Sequence, residues 1–335
     1  MGANSHRGFN LFYVKDRNLN IVILLLLKSV ILLLTVLISI AYLTIVERKV
    51  LGQMQRRLGP TSAGFYGTLQ PFADALKLFI KEIIVPVFAN GPLFFGAPII
   101  TFACSLIGWV VIPFGKGVVL SDLSLGILYS LALSSLGVYG LIFSGWAAGS
   151  MYALIGSLRS TCQMISYEIA LTLLILTVLF CSDTPSFTGL SESQNSIPYL
   201  VPLSPVALLF GISMLAETNR APFDLPEAES ELVSGFFTEH SAFSFAYFFL
   251  GEYGNMILLS TICCFLFFWG YSPFIALPGL ALGLKVSLLL FTFVWVRGTF
   301  PRFRYDGLML LMWKSVLPLS LGFIAFVPAV FISLL

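Results

Sequence analysis

Residues Leu24 to Val46 read LLLLKSVILLLTVLISIAYLTIV, with Lys28 as the only charge in 23 residues. A stretch this long and this apolar is long enough to cross a bilayer as a helix. About 20 residues at 1.5 Å rise cover a hydrocarbon core of about 30 Å, and a helix satisfies its own backbone hydrogen bonds where no water can. The pattern recurs along the chain. Eight spans are expected: Leu24–Val46, Leu93–Phe114, Leu123–Ala148, Cys162–Cys181, Ile197–Ala216, Phe243–Phe268, Pro278–Val296 and Leu308–Leu334. Pro98, Pro198, Pro202 and Pro205 are placed in first turns, where a missing backbone donor costs least.

Composition agrees. Of 335 residues 58% are hydrophobic and only 10% charged, against roughly 25% charged in soluble domains. The fold class is an all-α polytopic membrane protein with about eight transmembrane helices, forming one membrane domain over 21–335 after an N-terminal extension, 1–20. A net charge of +2 gives no basic stripe for nucleic acid. The five cysteines and two histidines have no metal-ligand or disulfide spacing, so no metal site, haem or iron-sulfur cluster is expected on this chain.

Lysine and arginine favour the side from which the chain inserts. Eleven (Arg48, Lys49, Arg56, Arg57, Lys77, Lys81, Arg159, Arg220, Arg297, Arg302 and Arg304) follow spans one, three, five and seven, whereas Arg7, Lys15, Arg17 and Lys116 lie on the other face. Both termini are therefore expected outside. Three inner loops result: 47–92, the acidic loop 217–240 and the last loop 297–307. Within the first, Phe72, Ala75, Leu76, Phe79, Ile80, Ile83 and Ile84 recur at helical steps opposite Asp74, Lys77 and Lys81, which predicts an interfacial amphipathic helix.

Charges at membrane depth cost at least ~2.5 to 3.5 kcal/mol on insertion scales, so each is a functional candidate. Glu168, Glu252, Lys285 and Lys314 fall inside spans; for the lysines, snorkelling to an interface is the plainer alternative. Glu217, Asp224, Glu227, Glu229, Glu231 and Glu239 lie within 23 residues, with Arg220 the only base among them. Interleaved Pro222, Phe223, Leu225, Pro226, Leu232, Val233, Phe236 and Phe237 favour burial over a solvated loop. Crowded buried carboxylates cannot all ionise, and such a row can store and pass protons. In the last loop, Arg297, Arg302 and Arg304 stand among Phe300, Phe303 and Tyr305, a set suited to a carboxylate, a flat polar head group or membrane lipid phosphates.

Three blocks carry a family resemblance. The first is Glu47-Arg48-Lys49-Val50-Leu51-Gly52 with Gln55, Arg57, Gly59, Pro60 and the run from Gly64 to Glu82. The second is Ala216 to Glu229 with Glu231, Leu232, Val233, Gly235, Glu252, Tyr253, Asn255 and Met256. The third is Arg297 and Pro301 to Asp306 with Leu308 and Met309. With Tyr152 to Glu168, these resemble membrane subunit 1 of respiratory complex I, the proton-pumping NADH:quinone oxidoreductase, and its bacterial equivalents.

The resemblance implies a subunit with no redox centre, flavin included, that forms the membrane side of a ubiquinone chamber. Its partners would be the peripheral quinone-module subunits and the small and antiporter-like membrane subunits. It implies that Arg48, Arg57, Asp74, Phe223, Asp224 and Arg302 line or gate the quinone passage; Arg57 and Asp224, on different inner loops, could face each other at its wall. Glu168, Glu217, Glu227, Glu229 and Glu252 would form the carboxylate path toward the pumps. Ubiquinone would be substrate, and the compartment the mitochondrial inner membrane. Met151, His240, Gly307 and Thr61 depart from the family's lysine, tyrosine, glutamine and asparagine. His240 either adds a titrating group near the acidic path or fills a tyrosine's place. A secondary transporter, and the equivalent subunit of a related hydrogenase or chloroplast complex, are the rival readings; a transporter usually shows two related halves.

Overall fold

The computed structural model describes the backbone of residues 5–195, 197–224, 235–272 and 277–334, and side chains from residue 22 onward except 331, 332 and 334. Among the described residues the chain is helical without strands: α1 (Ser5–Met54), α2 (Gln70–Ile80), α3 (Gly91–Ile107), α4 (Gly126–Ala147), α5 (Met151–Ser182), α6 (Phe187–Ser193), α7 (Ser204–Glu217), α8 (Ala242–Phe267), α9 (Pro278–Thr299), α10 (Tyr305–Leu311) and α11 (Leu317–Leu334). A π-helical turn, Met312–Val316, joins α10 to α11.

Seven of these helical segments are long and apolar enough to cross a membrane. The fifth expected span differs. Ile197 to Leu203 winds as turns, and α7 begins only at Ser204, with Pro205 in its first turn. Its 14 residues measure about 21 Å, short of the ~30 Å core. Pro198 and Pro202 precede the helix, where proline disfavours α backbone in the residue before it. Pro98 is also not in a first turn as expected, since it lies inside α3. Two further boundaries bear on the site. Helix α1 runs through Glu47 and Arg48 to Met54, and α5 starts at Met151, so Glu168 is about 25 Å along it.

Helix α8 is the hub: 72% of its most apolar window is buried, against 11% for α1. It contributes Tyr253, Met256, Ile257 and Ile262 through Phe267 to the main core, which Val36 and Ile40 of α1, Leu171 and Leu174 of α5 and Phe210 of α7 complete. Close helix contact needs small residues. A Cβ on Gly140 of α4 would lie 2.9 Å from the Ala97 carbonyl of α3, and one on Gly156 of α5 would lie 2.7 Å from Gly235. The second contact presses the end of the acidic loop against α5.

Helix α2 is amphipathic, and its apolar face is open: Phe72, Leu76, Phe79 and Ile80 are exposed. Ile83 and Ile84 fall just beyond its end and are exposed too. An exposed row of this size is what an interfacial helix presents to lipid or to a neighbour. Lys285 does not snorkel. Its Nζ donates to the carbonyls of Phe268 (2.7 Å), Gly270 (2.9 Å) and Ser272, capping the end of α8, where a cation suits the helix dipole.

Candidate functional site

The C-terminal ends of α1 and α9 and the segment just after α7 meet the first half of α8 in a largely buried ionic cluster. Glu47, about two turns from the end of α1, is 5% exposed. Its Oε2 accepts the Tyr253 hydroxyl, and its Oε1 pairs with Arg297 and lies 3.6 Å from Arg220 Nη1. Arg220 Nη2 is 3.7 Å from Glu252 Oε2. The same guanidinium lies 4.2 Å from the Tyr253 ring centre, a cation–π contact. Burying so many charges is tolerable only when each has a partner, and here carboxylates and guanidiniums alternate.

Beside this cluster, the acidic loop is fastened to the last inner loop. Arg302 Nη2 is 3.3 Å from Asp224 Oδ2, the Phe303 amide donates to the Pro222 carbonyl at 3.0 Å, and Phe223 stacks on Phe303 at 5.6 Å. Gln163 of α5 donates to the carbonyls of Ala216 (2.8 Å) and Phe223 (3.0 Å). Asp224 is almost buried. Burial pushes its carboxyl above the usual range, against the opposing pull of Arg302, Arg297 and Arg220.

The expected pairing of Arg57 with Asp224 does not occur. Arg57 donates instead to Gln55 Oε1 at 2.7 Å and is exposed, because the chain turns sharply after α1; Asp224 takes Arg302. Arg48 and Asp74 form their own pair at 2.8 Å, and Gln70 donates to Asp74 at 3.0 Å, which ties α2 to the end of α1. Both partners are well exposed, so the tie contributes little stability.

Three of the predicted carboxylates converge. Glu168 and Glu217 line one cavity of about 50 Å³ with Cys104, Ser130, Ser134 and Asn255. Glu217 and Glu252 line a second, of about 30 Å³, with Thr101, Asn219 and Asn255. Gly137, Met164, Glu217 and Asn255 belong to both walls, so Glu217 stands at their junction. Each cavity has a mainly apolar wall surface with polar groups set into it, and has room for a few waters. Ser134 (3.2 Å) and Ser135 donate to Glu168 Oε1, whereas Glu217 Oε2 and Asn219 Oδ1 have no hydrogen-bond partner among the described residues. Glu227 and Glu229, with Glu231, Leu225, Pro226, Leu232 and Val233, lie outside the described residues.

Sequence reasoning missed Glu47 and Tyr253 as site residues, whereas the last-loop arginines, read as suited to a carboxylate, meet one in Glu47 for Arg297 and in Asp224 for Arg302. Glu47 looked like the first loop residue after a span; only the continuation of α1 through it turns its side chain inward. Adjacency to Glu252 was the available signal for Tyr253.

His240 stacks on Phe94 at 4.2 Å with planes 14° apart and meets the edge of Phe248 at 5.1 Å. It fills an aromatic slot. Burial lowers its pKa to about 4, from an ordinary value near 6.5. Its folded-state pKa is depressed, so the folded form binds fewer protons than the unfolded form between roughly pH 6.5 and 4. Stability is therefore full above the unfolded pKa and falls as pH drops through that window, by up to about 3 kcal/mol. The melting temperature of the purified assembly should decline more steeply from pH 7 to 5 than that of a His240→Phe variant. Parallel curves would show that His240 is not the titrating group.

With this geometry in hand, comparison with known sequences is decisive. Residues 27–328 match the model of a family described as NADH dehydrogenase. The chain belongs to this family. It is 53% identical over 318 residues to the NADH-ubiquinone oxidoreductase chain 1 of Mycosarcoma maydis, covering 92% of this chain and 96% of that one. The chain 1 protein of Chondrus crispus is 51% identical over 316 residues, 92% and 97% of the two chains. An NADH-quinone oxidoreductase subunit from Rickettsia canadensis is 50% identical over 317 residues, 92% and 94%. Family membership at this coverage sets the transporter reading aside.

Proposed function

We propose that the chain is a membrane subunit of an NADH:quinone oxidoreductase, that its inner loops wall the quinone chamber, and that its buried carboxylates couple quinone reduction to proton translocation. The relatives' names support the oxidoreductase, its quinone substrate and partnership with the other subunits of complex I.

One observation supports the rest: ionisable side chains recur through one region of the molecule, in ion pairs and in the walls of two adjoining cavities. The row starts at Arg302 and Asp224, passes Arg220 to Glu47 and Glu252, and continues through two adjoining cavities to Glu217 and Glu168. In this reading Arg48, Arg57, Asp74, Phe223, Asp224 and Arg302 line the passage, with exposed Phe303, backed by buried Phe223, offering a flat apolar face to a quinone ring. Glu227 and Glu229 would extend the carboxylate row from the chamber. Quinone reduction takes up protons and alters charge beside Asp224. A neighbouring carboxylate row then redistributes its protons, and that shift is the signal passed to the pumping subunits.

Asp224→Asn tests the chamber. It keeps the shape and removes the charge that holds Arg302. Quinone reductase activity should fall while assembly, and electron transfer to a hydrophilic acceptor upstream of the quinone, stay normal. Loss of both activities together would make Asp224 a structural residue.

The proposed setting is the mitochondrial inner membrane with both termini on the intermembrane-space side, following the eleven-to-four distribution of basic residues. In sealed membranes, protease added to the outer face should spare 47–92. Cleavage there, with the first 20 residues spared, would reverse the orientation.

A further inference from the structure

Three lysines lie within the apolar parts of the spanning helices, and the structure treats them differently. Lys285 is held by backbone carbonyls of its own chain. Lys28 comes within the first two turns of the apolar span Val22–Met54, where a long side chain reaches the interface. Lys314 has neither solution. It is exposed and makes no hydrogen bond or ion pair with any described residue.

Its depth is the difficulty. Six residues separate Lys314 from Leu308, the first residue of the last apolar run after Asp306. At 1.5 Å per residue that is about 9 Å into a ~30 Å core, deeper than the ~6 Å of Lys28 counted from Leu24. The same helix turns its other face inward, with Leu308, Met312 and Val316 packed with Tyr167 and Ala170 of α5. Lys314 therefore points away from every carboxylate of the site described above, in company with Leu310 and Trp313, both more than half exposed. Only 17% of this span's most apolar window is buried by the chain itself.

A second feature coincides with it. Lys314 is the central residue of the π-helical turn Met312–Val316. Such widened turns are rare and concentrate at functional positions. Hydrocarbon lipid cannot satisfy an ammonium, whereas a carboxylate in the same dry layer can.

We propose that the Lys314 face of the last span is an interface with another membrane subunit, which presents an aspartate or glutamate at the same depth. This deepens the complex I reading and rests on it for the presence of such neighbours. Leu310 and Trp313 would supply the apolar contact around the ion pair, and the pair would fix the depth at which the two subunits meet.

The test uses the intact assembly in native membranes. It is treated with a lipid-permeant carbodiimide, which activates a buried carboxyl so that an adjacent amine forms an amide, the elements of water being taken up as the urea. Peptide mass spectrometry should then find Lys314 joined to a membrane-span carboxyl of a different chain. Lys314→Arg should abolish this product while the assembly persists. A parallel sample receives a lipid-soluble isothiocyanate, and Lys314 should stay unlabelled in it. Labelling of Lys314 in the intact assembly would show that it faces lipid and overturn the proposal. Protection without coupling would show a neutral neighbour and overturn the carboxylate. If the purified assembly fails to oxidise NADH yet still yields the Lys314 amide, the oxidoreductase reading falls and the interface remains.

Discussion

Glu47→Ala should cut the steady-state amount of assembled complex more severely than Asp224→Asn, Glu217→Gln or Lys314→Arg. The change strips the shared anion from Arg220 and Arg297 and removes the acceptor of the Tyr253 hydroxyl. What remains is two guanidinium groups without the anion they shared, Arg220 keeping Glu252 and the Tyr253 ring and Arg297 keeping solvent. Breaking a buried pair costs roughly 3–5 kcal/mol when the survivor loses its partner and its solvation together, so the loss here should lie toward the lower figure. That is a large share of the roughly 5–15 kcal/mol by which ordinary domains are stable. Glu47→Gln should be milder, since an amide oxygen still accepts from Tyr253. An exposed pair sets the scale: Lys116 and Glu192 lie 3.9 Å apart and are mostly solvated, so Lys116→Ala should cost under about 1 kcal/mol. Native electrophoresis of membranes, with a thermal scan of what assembles, checks the order Ala, Gln, then the exposed control. Equal amounts of complex in all three would mean that the cluster does not hold α1, α7, α8 and α9 together.

The fold was legible wherever one physical constraint dominates. Bilayer thickness sets the length of an apolar run, so α1, α3, α4, α5, α8, α9 and the last span are visible in the sequence to within a turn or two at most ends. Helix α7 is the instructive exception. Hydropathy counts Ile197 to Leu203 as apolar, but Pro198 and Pro202 leave that stretch in turns. The amphipathic period located α2 because an interface imposes a sidedness that a span does not.

The site was legible by residue type more than by contact. Burial cost singled out Glu168, Glu217 and Glu252, and the chain does bring them to two cavities that share a wall. Partner choice was not legible: Arg57 and Asp224 carry suitable charges, yet the fold gives Asp224 to Arg302 and leaves Arg57 with Gln55. Glu47 was hidden because the end of a helix cannot be read to the residue. A charge two turns inside a helix and one just past it look the same in sequence and differ completely in environment.

The second large effect concerns Glu217, the residue common to both cavities. A proton moving between Glu252 and Glu168 must cross that junction, and the groups that line it besides Glu217 are Asn255, Gly137 and Met164, none of which titrates. Glu217→Gln keeps the volume and most of the polarity but removes the one group there able to take up and release a proton. In a tightly coupled machine a blocked proton step stalls the electron step with it. The loss should therefore exceed about ten-fold in both, corresponding to at least about 1.4 kcal/mol on the barrier. Assembly should be retained, because the substitution leaves no buried charge unpaired. The most direct measurement is on the assembled complex carrying Glu217→Gln, reconstituted in sealed vesicles, with NADH:quinone turnover and proton uptake followed together. Turnover and pumping should fall in parallel while NADH oxidation by a hydrophilic acceptor stays at the wild-type rate. Full turnover with an undiminished proton-to-electron ratio would contradict the carboxylate path.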